Sequence, residues 1–123
     1  MVKSRKILLV EDEMALANVL KLEFINDGFS VKHAENGQLA INFLKKEKFD
    51  IVLLDVVMPT MDGFQTLENM NEAGIAQPTI MLSNISQPEE MEKAKKLGAI
   101  GYIVKSNTTL AEIIEQVKKK MIN

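Results

Sequence analysis

Cysteine is absent from the 123-residue chain, which excludes a disulfide framework, a thiolate metal site and a cysteine nucleophile. Long apolar runs are absent too. No stretch approaches the ~20 residues needed to span a bilayer, so no membrane association is expected. An excess of one charge is also missing: 15 Lys and Arg face 17 Asp and Glu, for a formal net charge of −2. That balance leaves no basic footprint, and direct nucleic-acid binding is not expected. The one basic run, Lys118 to Lys120, falls where a helix should end and there complements the helix dipole. The opening MVKSRK runs into a short apolar segment without the length or cleavage pattern of a signal peptide, so a cytoplasmic protein is expected. With no low-complexity segment and no linker, residues 1–123 read as a single domain. A chain of this size buries roughly two-thirds of the surface it exposes when unfolded.

What is present alternates between two patterns. KILLV (Lys6 to Val10), IVLL (Ile51 to Leu54), TIML (Thr79 to Leu82) and YIV (Tyr102 to Val104) are short, nearly continuous apolar segments. They suit strands covered on both faces. SVKHA (Ser30 to Ala34) alternates instead, with Lys32 opposite Val31 and His33, and reads as an edge strand. Amphipathic stretches lie between: Leu16, Val19, Leu20 and Phe24 share one helical face, as do Leu110, Ile113, Ile114, Val117 and Met121. Capping boxes are expected at Asp62-x-x-Gln65, Ser86-x-x-Glu89 and Thr109-x-x-Glu112, with Pro88 in a first turn. Gly28 and Gly98 fall at helix C-termini.

Five strands alternating with helices predict an α/β fold: a (βα)5 doubly wound, flavodoxin-like parallel sheet with helices on both faces. With the second strand at an edge, the order becomes 2-1-3-4-5. Ligands of such sheets bind beyond the carboxyl ends of the strands, at the switch point between strands 1 and 3. Glu11 and Asp12 end strand 1 and Asp55 ends strand 3, so three acids converge there. At about 5 Å and an effective dielectric near 20, each pair repels by ~3 kcal/mol, and a cation is required to keep all three ionised. Oxygen ligands without His or Cys select a hard ion, and Mg²⁺ (or Mn²⁺) suits a site that also takes a phosphoryl group. Ser83 ends strand 4 with a hydroxyl and Lys105 ends strand 5 with an ammonium. A nucleophilic carboxylate, a divalent ion, a hydroxyl and an ammonium at one rim match phosphoryl transfer onto an aspartate.

VEDE at Val10 to Glu13, LLDVVMPTMDG at Leu53 to Gly63, MLSN at Met81 to Asn84 and GYIVKS at Gly101 to Ser106 carry a resemblance. In that order, at four strand ends, they resemble the response-regulator receiver domain of two-component signalling, similar to single-domain chemotaxis or sporulation-type receivers. The resemblance covers essentially the whole chain. It implies that Asp55 accepts a phosphoryl group from a histidine kinase or histidine phosphotransfer protein. Asp12 and Asp55 would ligate Mg²⁺ with the backbone carbonyl of Val57, and Glu11 would act through water. Ser83 and Lys105 would hold the phosphoryl oxygens, and Tyr102 would change rotamer with Ser83 on activation. Met14, Ala15, Asn18 and Leu22 on the first helix would dock the phosphoryl donor. The face made by helix 4, strand 5 and helix 5, with EEMEKAKK, would meet a downstream output protein or domain, as a monomer or a weak phosphorylation-dependent dimer. The chain would then be a phosphoacceptor in a phosphorelay and not an enzyme acting on an external substrate.

Three departures from the family pattern stand out, the third at two positions. Ser106 follows Lys105 where a cis proline is usual, so that loop is expected to be trans and rearranged, or strained. Asn84 replaces a small residue after Ser83 and could crowd the phosphoryl site or hydrogen-bond to it. Val57 and Ile85 are apolar and cannot orient a hydrolytic water. A haloacid-dehalogenase-type phosphatase would need a second acid two residues after Asp55, where Val57 stands, and a flavodoxin-like nucleotide binder would not place EDEM after strand 1. A degenerate receiver that only binds partners is the alternative reading that Asn84 and Ser106 keep open. His33, with no second His or Cys at ligand spacing, reads as structural or solvated.

Overall fold

The computed structural model describes residues 5–122; the first four residues of the opening MVKSRK segment, on which the expected lack of a signal peptide rests, lie outside them. The elements run β1 Lys6–Val10, α1 Met14–Asn26, β2 Ser30–Ala34, α2 Gly37–Lys46, β3 Ile51–Asp55, α3 Gly63–Glu72, β4 Thr79–Ser83, α4 Pro88–Lys96, β5 Gly101–Val104, a 3-10 turn Lys105–Asn107 and α5 Leu110–Ile122. The five strands form one parallel sheet in the order β2-β1-β3-β4-β5, as the sequence predicts.

The uninterrupted apolar strands have a simple cause. Because successive side chains point to opposite faces, Leu8, Val10, Val52, Leu54 and Met81 join a core under α2, α3 and α4. Ile7, Leu9, Ile51, Leu53, Ile80, Leu82 and Ile103 join a second core under α1 and α5. Apart from Lys6 at the start of β1, neither face of β1, β3 or β4 meets water. β2 differs: Val31 and His33 are half-buried while Ser30 and Lys32 are exposed, which is the edge-strand pattern. Lys32 reaches Glu47 at 3.0 Å, and Lys6 pairs with the same carboxylate.

Helix ends follow local chemistry in two of the three expected capping boxes. Asp62 and Gln65 exchange hydrogen bonds of 2.8 and 2.9 Å, and Thr109 and Glu112 do so at 3.2 and 2.8 Å. The third is corrected. α4 begins one residue later, with Gln87 as N-cap and no side-chain cap bond, because Pro88 takes the first helical position. Gly28 and Gly98 close α1 and α4 with φ of 95° and 99°. A second correction concerns α1, which buries Ala17, Leu20 and Phe24 and leaves Val19 45% exposed. At 100° per residue, Val19 stands roughly 130° from the centre of that buried stripe. Lys118 also departs from a pure dipole role, since it spans from α5 to Asp27 at the end of α1, 3.3 Å away.

Candidate functional site

At the carboxyl edge of the sheet, β1 and β3 end side by side, with Val10 opposite Leu54. The next residues are Glu11 and Asp55. Glu11 is fully buried and Asp55 is 3% exposed, whereas Asp12 is exposed. One carboxylate oxygen from each of the three lies within 4.8 Å of the others, so the convergence expected from strand order is realised. β4 and β5 continue the rim. Ser83, fully buried, pairs with Val104 in the ladder, and Lys105 follows Val104 directly.

Lys105 sits between the acids, with Nζ 3.0 Å from Glu11 Oε1 and 3.2 Å from Asp55 Oδ1. Its side chain is only 16% exposed and is held by two buried charges. The bond to Ser106 is trans, since the described residues contain no cis peptide. The loop instead winds into the 3-10 turn, fastened by the Thr108 hydroxyl donating to the Val104 carbonyl at 2.8 Å. That rearrangement brings Lys105 to the acids without a proline.

The electrostatics are those of an over-acidic pocket. Burial, and then the Glu11 charge, push the Asp55 carboxyl up to about 7, while the Lys105 ammonium pulls it back. Burial disfavours the Lys105 charge, but Asp55 and Glu11 outweigh it, and its pKa rises above the ordinary lysine value. Glu11 Oε2 accepts from the Glu13 N–H at 3.1 Å. Glu11 Oε1 has no hydrogen bond although it is buried, and meets Lys105 only as an ion pair. Three carboxylates within reach of one another, one with a buried oxygen met only by the Lys105 ammonium, and no nitrogen or sulfur ligand together fit a hard divalent cation. Bound there, such an ion would neutralise the acids and admit an anionic group beside Asp55.

The remaining expected residues divide into three places. Ser83 Oγ accepts from the Ile85 N–H at 3.0 Å, and the Tyr102 hydroxyl donates to the Ile85 carbonyl at 2.8 Å. One residue thus ties Ser83 to Tyr102. Burial raises the Tyr102 phenol, and contact with the Ser83 hydroxyl opposes that rise. Asn84 is exposed, Ile85 half-buried and Val57 61% exposed. Met14, Ala15, Asn18 and Leu22 are all exposed on α1, beginning at the acidic rim.

Two contributors escape a reading by residue type. Gly63 packs against the β3 end so closely that an added Cβ would lie 2.4 Å from the Asp55 carbonyl oxygen. His33 places Nε2 2.7 Å from the Glu11 carbonyl. The DG pair after MPTM hints at the first, and the pairing of β2 with β1 is the signal for the second. Nearby, Thr60 carries a left-handed φ of 71° in a tight turn closed by the Met61 N–H and the Pro59 carbonyl at 2.8 Å. That turn sends the chain from β3 back to the capping box of α3.

Known proteins are similar to this chain in sequence and in fold. The family model for the response regulator receiver domain matches residues 7–118. The chain is 37% identical over 103 residues to the chemotaxis protein CheY of Halobacterium salinarum, covering 83% of this chain and 85% of that protein. It is 31% identical over 116 residues to sporulation initiation phosphotransferase F of Bacillus subtilis, covering 94% and 93%. Of longer regulatory proteins that it also matches, it spans half or less. The crystal structure of the Vibrio cholerae chemotaxis protein CheY4 superposes with a TM-score of 0.88 at 25% identity, covering 95% of this chain and 98% of that one. With the sheet order, the acidic cluster and these similarities in agreement, the chain belongs to the response regulator receiver domain family.

Proposed function

We propose that the chain is a phosphoacceptor switch in which Asp55 takes a phosphoryl group, with Mg²⁺ held by Asp12, Asp55, the Val57 carbonyl and, through water, Glu11. The observation that carries this reading is the buried Asp55 carboxylate, set among two further acids and the Lys105 ammonium. An Asp55 oxygen attacks phosphorus in line, the bond from phosphorus to the donor nitrogen of a phosphohistidine breaks, and an acyl phosphate remains. Positioning and charge neutralisation supply most of the catalysis. Ser83 and Lys105 then hold the new phosphoryl oxygens.

The donor is a histidine kinase or histidine phosphotransfer protein docking on Met14, Ala15, Asn18 and Leu22. Their exposure beside the rim supports that reading. The output surface is the face of α4, β5 and α5. The link from Ser83 through Ile85 to Tyr102 supports a population shift that carries the phosphoryl signal there. Intact mass after incubation with acetyl phosphate tests the whole reading. One added phosphoryl group that requires Mg²⁺ is expected. A folded chain that gains nothing would instead be a partner-binding module that has lost the chemistry.

Two further outcomes are expected. Self-dephosphorylation is slow, because neither Val57 nor Ile85 can hydrogen-bond an attacking water. The decay of the phosphorylated mass in Mg²⁺ buffer checks this, and a half-life of seconds would refute it. Lys105→Met is expected to keep most of the phosphoryl uptake and lose the response at the output face. The chain has one tyrosine and no tryptophan, so intrinsic fluorescence reports Tyr102 alone. Equal loss of mass gain and fluorescence change would remove Lys105 from the coupling role.

A further inference from the structure

β2 brings one polar side chain to the acidic rim. Its ladder with β1 ends where Val10 meets Ala34, and the next backbone link runs from the Glu11 N–H to the Ala34 carbonyl at 3.1 Å. The Glu11 carbonyl lies beyond the ladder, and the half-buried His33 ring approaches it with Nε2 at 2.7 Å. A carbonyl oxygen only accepts, so Nε2 carries the hydrogen and donates. Glu11 is thereby gripped by β2 on both sides of its own backbone.

We propose that His33 is a positioning residue for the cation site: its bond to the Glu11 carbonyl sets the peptide that joins Glu11 to Asp12, and so aims both acids. The inference rests on the Mg²⁺ reading above. Its strength lies in the contrast between the two carboxylates. Glu11 has the Glu13 N–H to hold its side chain. The Asp12 carboxylate is exposed and has no hydrogen bond or ion pair among the described residues. Its direction therefore depends on the backbone that carries it, and His33 fixes the carbonyl at the start of that peptide. An outer contact that orients a ligand in this way raises metal affinity without touching the metal.

Mg²⁺ titration calorimetry on the parent chain, His33→Gln and His33→Phe tests the assignment. The glutamine amide can donate to the same carbonyl, while phenylalanine keeps the ring and removes the donor; His33→Leu replaces it should the Phe variant fail to fold. His33→Phe is expected to weaken the Mg²⁺ Kd about tenfold and His33→Gln by less than about threefold. The Mg²⁺-induced rise in Tm should shrink in the Phe variant and persist in the Gln variant, whereas a purely structural role would lower Tm alike with and without Mg²⁺. Unchanged affinity in His33→Phe, or a Gln variant as weak as the Phe variant, overturns the proposal. Failure of the parent chain itself to take up Mg²⁺ overturns the metal reading and this inference with it, and is distinguishable from either.

Discussion

Asp55→Asn is expected to be more stable than the parent chain at pH 7.5 without a divalent cation, and unable to take up a phosphoryl group from acetyl phosphate. The second half follows from losing the nucleophilic carboxylate. The first follows from the pocket's excess acidity. Asp55 ionises in a buried place beside Glu11, and its pKa rises to about 7 from the ordinary carboxylate range. The folded state therefore binds a proton that the unfolded state releases between about pH 4 and pH 7. Stability is greatest below that window and falls as pH climbs through it. An amide in place of the acid removes the titration and can still accept from Lys105. Raised from 3.8 to about 7 with the Lys105 attraction already included, the pKa corresponds to about 4 kcal/mol once Asp55 is ionised, and burying an amide in its place offsets part of that, so the gain at pH 7.5 in EDTA should be about 2 to 3 kcal/mol. At pH 3.3, where Asp55 is protonated in both the folded and the unfolded state, the two chains should unfold at nearly the same temperature. Thermal unfolding by circular dichroism at both pH values checks the pattern, and Mg²⁺ should raise the Tm of the parent far more than that of the variant. A less stable Asp55→Asn at pH 7.5 would mean that the carboxylate contributes net attraction, and that the pocket is not strained by its acids.

How far the sequence carries an observer depends on the range of the interaction. The sheet order was legible because only SVKHA alternates while the other strands are apolar throughout, and burial on one or two faces is written in that period. Asp55 was legible because an acid directly after IVLL demands a use. α1 was not, in part, because Met14, Val19, Leu22 and Ile25 make it apolar nearly all round; periodicity cannot orient such a helix, and Val19 fell on the wrong side. The cap of α4 was misplaced by one residue because Pro88 at the first helical position outweighed the Ser86 signal. His33 and the Glu11 carbonyl are 22 residues apart, and only strand register makes them neighbours. The grip on Lys105 is longer still: it needs the ends of β1, β3 and β5 in place before either acid can be found.

Gly63→Ala is expected to cost about 3 kcal/mol or more, among the largest losses open to a single methyl group. The reason is space. Gly63 lies at the first turn of α3, where its N–H donates to the Val56 carbonyl at 2.7 Å. An added Cβ would stand 2.4 Å from the Asp55 carbonyl oxygen, 2.7 Å from Val56 Cα and 3.0 Å from the Asp55 carbonyl carbon. All three are backbone atoms of the β3 end, with no rotamer to yield. Either α3 lifts from the sheet and strains its capping box, or the end of β3 moves and takes the Asp55 carboxylate with it. Gly37→Ala makes the informative comparison, because its Cβ would meet Thr66 Oγ1 at 2.2 Å and Met61 Sδ at 2.8 Å. Those are side chains, and the methionine can swing aside, so a smaller loss is expected there. Gly74→Ala meets nothing within 4 Å but holds a left-handed φ of 73°, and should cost about 1 kcal/mol. Urea unfolding of the three variants ranks them. Labelling by acetyl phosphate of whatever Gly63→Ala remains folded should be slowed well beyond the other two, because only that clash acts on the proposed phosphoacceptor. A Gly63→Ala chain within about 1 kcal/mol of the parent, with normal labelling, would show that α3 can shift without disturbing β3.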